Sequence, residues 1–283
     1  MLDFLRIIEK EASPKKGRIE VEPEFRVVKT KDLMVRGGKF YAIWDEESKK
    51  WLTDEIAVVD LVDKEIKNYI SEHNLWDVAI PKYMECSNSG SMDKWIKFVE
   101  KHMPDNWYNP LDETLIFSNS EPRKEDYSSK SLSYPLEQGP TDNWDKLLDV
   151  LYAPSERHKI EWSIGSVVTG GSKTLQKFVV FYGAPGTGKS TVLNVIQDLF
   201  DGYWSTFDAK ALGSSSASFA LEAFKSNPLV SIQHDGDLSK IDDNARLNSV
   251  ISHETMQVNE KFKSAYDKSF KTFLFVGTNK AVK

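Results

Sequence analysis

Four groups of residues carry the chemistry this chain could do: a glycine-rich loop with a lysine, two acids after an apolar run, an asparagine after another, and lysines set among aromatics. The loop is Gly183, Ala184, Pro185, Gly186, Thr187, Gly188, Lys189, Ser190 and Thr191. Its spacing fits G-x-x-x-x-G-K-[ST], the phosphate-binding P-loop, in which glycines let backbone N–H groups turn inward around nucleotide phosphates. Lys189 would reach the β- and γ-phosphates, and Ser190 would hold Mg²⁺ through its hydroxyl. The apolar run Phe178–Tyr182 before the loop predicts a strand. Val192, Leu193, Val195, Ile196 and Leu199 after it keep helical spacing, so the phosphates would meet a helix amino end.

The second group follows the run Leu229–His234, which reads as a buried strand ending in Asp235, Gly236 and Asp237. Acids at such a strand end form a Walker B arrangement, one carboxylate near the metal and the other near the attacking water. Asp235 is assigned to Mg²⁺ and Asp237 to the water, and these roles are interchangeable on sequence grounds. The glycine between them departs from the adjacent Asp-Glu pair of many motors. A third apolar run, Thr272–Val276, ends in Gly277, Thr278 and Asn279. Between the acids and Asn279 lies HETMQVNEKFKSAYDKSFK, where cations alternate with rings. Such interleaving grips single-stranded DNA by phosphate pairing and base stacking, with Lys261 and Lys263 as the contacts, although a solvated hairpin has the same composition.

These groups need elements to position them, and 283 residues suffice for two domains. Hydrophobic content of 40% and charged content of 28% are ordinary for a water-soluble chain. No apolar stretch nears the roughly 20 residues that cross a bilayer. The start, Met1-Leu2-Asp3-Phe4-Leu5-Arg6, lacks the pattern of a secretory signal, so the protein is expected in the cytoplasm of the host cell. The single cysteine, Cys86, excludes an internal disulfide, and the five histidines show no metal-ligand spacing. A net charge of −6 argues against coating nucleic acid over the whole surface, but not against a local basic channel.

Residues 1–105 are expected as an α+β domain. It would open with a loosely held helix and connector over the first thirty residues. An antiparallel meander through Phe25–Leu52 would follow, then helices over Val58–Ile70 and Met92–His102. Residues 106–142, with Pro110, Pro122, Pro135 and Pro140, read as an extended linker, 143–172 as a helical segment, and 173–283 as an α/β core.

In this order the motifs resemble those of superfamily 3 helicases, in the primase-helicase branch carried by phages, plasmids and large DNA viruses. QKF entering GAPGTGKST is similar to motif A of that family. HDGDLSKIDDNARLNSVISHE is similar to its B region, ETMQVNEKFKSAY to its B′ hairpin and FLFVGTNK to its motif C. The stretch from about Ser118 to Gly170 is similar to the helical segment that precedes the motor. The resemblance covers roughly the last 165 residues. It implies an AAA+-like P-loop NTPase fold with a central parallel sheet, in which Asn279 is the sensor contacting water and γ-phosphate. It also implies a hexameric ring that hydrolyses ATP with Mg²⁺ and draws single-stranded DNA through its pore. The arginine finger of that family comes after motif C and the chain stops at Lys283, so the sequence reads as truncated; Arg246 is the one candidate in hand, more simply a surface arginine. No acidic primase centre is present, since Asp60 and Asp63 fall in a helical pattern, so any primase partner would be separate.

Two other classes compete with a helicase. A nucleotide-dependent module that remodels DNA or protein without unwinding shares every motif above. A small-molecule kinase would need a lid with several arginines, and Arg246 is the only arginine after Ser190.

Overall fold

The computed structural model describes residues 2–13, 17–25, 30–36, 39–81, 97, 109–214, 217, 219–238, 241, 243–259 and 265–280. They form two compact units, one of residues 1–110 and 122–129, the other of 111–121 and 130–283.

The first unit opens with strands where a helix and connector were expected. β1 (Leu5–Ser13) and β2 (Arg18–Phe25) pair antiparallel with Glu9 opposite Val21, and β6 (Ala79–Pro81) joins β2 in parallel. The reason is alternation at the start of β1, where Leu5 and Ile7 are buried and Arg6 between them faces solvent, with Val21 of β2 also buried. The expected meander is present from Leu33 on as β3 (Leu33–Arg36), β4 (Lys39–Asp45) and β5 (Lys50–Leu52), whereas Phe25 ends β2 and residues 26–29 lie outside the described residues. Helix α1 (Glu55–Glu72) is capped by Asp54, whose carboxylate accepts the Ile56 N–H at 2.9 Å. It buries Val58, Val62, Ile66 and Ile70, one face at four-residue spacing, against the strands. The helix expected over Met92–His102 falls, but for Lys97, outside the described residues.

The stretch expected as a linker is divided between the units. Residues 122–129 belong to the first, where the Trp51 indole donates to the Lys124 carbonyl at 2.9 Å. Leu115, Phe117 and Leu132 are buried in the core of the second. That core also takes Leu148 from α2 (Asp142–Leu151) and Ile160 and Val167 from α3 (Pro154–Val168), so the helical segment and the α/β core are one unit. Arg157 on α3 ties the helices together, its guanidinium donating to Asp145 and Asp149 of α2 and to Glu161.

The rest of the second unit is a parallel sheet. β7 (Val179–Tyr182), β8 (Trp204–Thr206), β9 (Val230–Gln233) and β12 (Phe273–Thr278) lie in the order β7-β12-β9-β8. All three pairings are parallel, so the carboxyl ends of the four strands share one edge. β12, with a neighbour on each side, is buried at all six residues, as its near-continuous apolar run requires. Helix α4 (Lys189–Leu199) follows β7 and buries Val192, Leu193 and Ile196. After β9 come α5 (Ala245–Ile251) and a hairpin of β10 (Met256–Val258) with β11 (Tyr266–Lys268).

Candidate functional site

The last strand to be made lies between the other two that carry motifs. β12 pairs with β7, Thr278 beside Tyr182, and with β9, Val276 beside Gln233. Neighbouring strands are about 4.8 Å apart, so the ends of β7 and β9 are about 10 Å apart with the end of β12 between them. Main-chain bonds hold the three exits together. The Gly183 N–H donates to the Thr278 carbonyl at 3.3 Å, and the Gly236 N–H to the Gly277 carbonyl at 2.8 Å. Gly277 permits this approach: a Cβ there would sit 2.6 Å from the His234 carbonyl oxygen and 3.0 Å from Leu193 Cδ1.

The glycine-rich loop turns as its composition demands. Gly186 and Gly188 have φ of 79° and 78°, the left-handed region that costs glycine no Cβ clash. Gly188 is further constrained by Leu151 at the end of α2, which would lie 2.7 Å from an added Cβ. Lys189 folds over the loop, its ammonium donating to the carbonyls of Gly183 and Ala184 at 2.8 Å each. Thr187 donates to the Ala184 carbonyl at 2.9 Å. α4 begins at Lys189 without a side-chain cap, so its first-turn N–H groups are left for a ligand. Ala184, Pro185, Gly186, Thr187, Ser190 and Thr191 are exposed around this loop.

The acids differ in setting. Asp235 is exposed at the end of β9, whereas Asp237 is largely covered and accepts a hydrogen bond from the Lys280 ammonium at 2.6 Å. That bond, with the charges of Asp237 and then Asp235, raises the Lys280 pKa above the ordinary lysine value. Asn279, between Thr278 and Lys280, is exposed at the same edge. Asp235, Asp237 and Asn279 thus stand directly after two adjacent strand ends, and Lys189 and Ser190 in the first turn of the helix reached by the loop from the third. Lys280 was not singled out from sequence; its signal was a cation directly after Asn279, and only the strand order shows that it meets an acid 43 residues earlier.

Among the described residues, no group of three or more His, Cys, Asp or Glu side chains could hold a metal ion by themselves. Ser190 and Asp235, both exposed at the carboxyl edge of the sheet, are oxygen donors of the kind Mg²⁺ would take, since that ion keeps most of its waters and uses one or two protein oxygens beside substrate phosphates. Lys261 and Lys263 lie outside the described residues, though the hairpin legs that flank them pair, Val258 with Tyr266. Arg246 is engaged within its own unit, its guanidinium donating to the carbonyls of Ala217 at 2.9 Å and Ser214 at 3.3 Å. No helix among the described residues is long and apolar enough to cross a membrane.

Residues 181–283 match the family described as "Family of unknown function (DUF5906)". No curated protein matches the chain. Among solved structures, an A-form apo structure of the NrS-1 C-terminal region is similar to 52% of this chain and 35% of its own, at 20% identity and a TM-score of 0.39. An apo structure of the same region gives 16% identity and a TM-score of 0.39, with 52% and 35% covered. The likeness therefore spans about a third of those solved chains.

Proposed function

We propose that this chain is the motor of an ATP-dependent DNA helicase from a phage or mobile-element replication system, working as a ring on single-stranded DNA. The observation that carries the reading is the strand order β7-β12-β9, which brings the phosphate loop, the asparagine and the acids to one edge of one sheet. Open parallel sheets bind ligands at the carboxyl ends of their strands, where successive connections diverge.

Lys189 and the amide groups from Gly186 to Ser190 would grip the β- and γ-phosphates of ATP. Ser190 and Asp235 would hold Mg²⁺, which when bound neutralises charge on the phosphate oxygens. Asp237 would orient water and take its proton as the water oxygen bonds to the γ-phosphorus and the bond to the β,γ-bridging oxygen breaks. Asn279 would hold the same water in line. Lys280, hydrogen-bonded to Asp237, fixes where that carboxylate points.

One observation favours a second reading, a nucleotide-dependent remodelling module. Arg246, the residue weighed as an arginine finger, is occupied by the carbonyls of Ser214 and Ala217. Without an arginine donated across a subunit interface, hydrolysis falls by ~10³ to 10⁵.

ATP turnover with and without single-stranded DNA separates the two. A helicase shows DNA-stimulated turnover, lost with Lys189→Ala and uncoupled from DNA by Lys261→Ala/Lys263→Ala. Turnover indifferent to DNA favours the remodelling module.

A further inference from the structure

The amino ends of the same parallel strands border a second cavity, of about 440 Å³, to which no motif was assigned. Leu229 leads into β9 and Lys271 stands two residues before β12, so this cavity is at the sheet edge opposite the P-loop. Its floor is apolar, with Leu115 and Leu229 both buried. Its walls carry Lys173, Lys271, the buried hydroxyl residue Ser172 and His253.

His253 is 7% exposed and sits at φ 53° in the turn from α5 into β10, where its N–H donates to the Val250 carbonyl at 3.1 Å. A non-glycine residue rarely takes that conformation, and here it commits an imidazole to the cavity wall. Burial first, then the charges of Lys173 and Lys271, lower its pKa, while a hydrogen bond to the Thr272 backbone and the Glu113 charge oppose this. Both ammonium groups therefore act on the ring. One carboxylate faces them: Glu113 pairs with Lys271 at 2.6 Å. Two lysines against one carboxylate leave the cavity short of negative charge, and the imidazole adds a further polar group. Its volume lies in the range of small-molecule pockets, which combine apolar walls with a few convergent polar groups.

We propose that this cavity binds a small phosphorylated molecule, its phosphate held by Lys173, Lys271, Ser172 and His253 and its organic body on the Leu115–Leu229 floor. The site is independent of ATP hydrolysis at the opposite edge, and its residues enter the roots of β9, β12 and the β10–β11 hairpin.

Calorimetric titration of the Lys189→Ala protein with inorganic phosphate and with adenosine monophosphate tests this with the P-loop disabled. Saturable binding of both is expected, tighter for the nucleotide and weakened about tenfold or more by Lys173→Ala/Lys271→Ala. Because loss of the Lys271–Glu113 pair can itself weaken the fold, the His253 ring resonance of the unsubstituted protein gives a second reading. Phosphate should move its titration to higher pH. Absent binding, binding indifferent to both lysines, or a His253 titration unmoved by phosphate overturns the proposal. So does tighter binding of single-stranded DNA lost with the same substitutions, which would give the cavity to a nucleic-acid strand.

Discussion

The two sites proposed at opposite edges of the parallel sheet would hold negative charge by different means. At the carboxyl edge the main chain would do most of the work: left-handed Gly186 and Gly188, the uncapped start of α4 and a single lysine laid over the loop. At the amino edge side chains would do it, the cations Lys173 and Lys271 with the imidazole of His253, brought in from three separate connections. The first arrangement is contiguous in sequence because consecutive amides must point to one centre. The second is scattered because any connection that passes the edge can contribute a charge. Phosphates gripped by backbone tolerate few substitutions in the loop, whereas a side-chain cluster can be taken apart one charge at a time.

The largest expected effect lies at the carboxyl edge. Lys189→Ala and Asp235→Asn should each reduce ATP turnover by ~10² or more, the first by removing a cation opposed to the reacting phosphates and the second by removing a carboxylate proposed to hold Mg²⁺. Substitutions at the amino edge should leave turnover within a few-fold, and equal losses at both edges would erase the distinction. Next comes Gly277→Ala, whose added methyl meets a backbone carbonyl at 2.6 Å. A loss of about 1–3 kcal/mol is expected in denaturant unfolding, with turnover falling as the strand exits part. Smaller again is Lys280→Met, which frees Asp237 of its cation. A several-fold fall in kcat with KM little changed, restored by Lys280→Arg, would mark a positioning role, and an unchanged pH–rate profile would deny it.

The smallest effect belongs to His253. Its pKa in the folded protein is below 6.5, so on acidification through that value the unfolded chain takes up a proton before the folded one does. Stability should therefore fall as pH drops below about 6.5, and His253→Asn should flatten that slope in urea titrations at pH 5 to 7. Phosphate in the buffer should oppose the fall.

What could be read from the sequence follows the same division. The loop, the two acids and Asn279 were legible because each is a short string whose neighbours set its strand or helix. The β1–β2 hairpin was not. Half of β1 has solvent on both faces, with Glu9, Lys10 and Glu11 all exposed, so the two-residue period is diluted by charge and reads as a connector. The proline-rich stretch from 106 to 142 misled for a different reason. Its buried apolar residues, Leu115, Ile116, Phe117 and Leu132 among them, are held by an irregular backbone, as where the Leu132 N–H meets the Ile116 carbonyl at 2.7 Å. Irregular backbone has no period to detect. The Lys280–Asp237 pair and the amino-edge cavity depend on which strands are neighbours, a property of topology that local pattern does not carry.

Convergence of three strand exits on one ligand can be observed without enzyme turnover. Backbone amide resonances of Gly188, Gly236 and Asn279 can be followed while magnesium and a nonhydrolysable ATP analogue are added. A single binding event at the carboxyl edge should move all three along one saturation curve, and Lys189→Ala should abolish the movement of all three together. Shifts confined to Gly188, with Gly236 and Asn279 unmoved at saturation, would contradict a shared site and the motor reading with it.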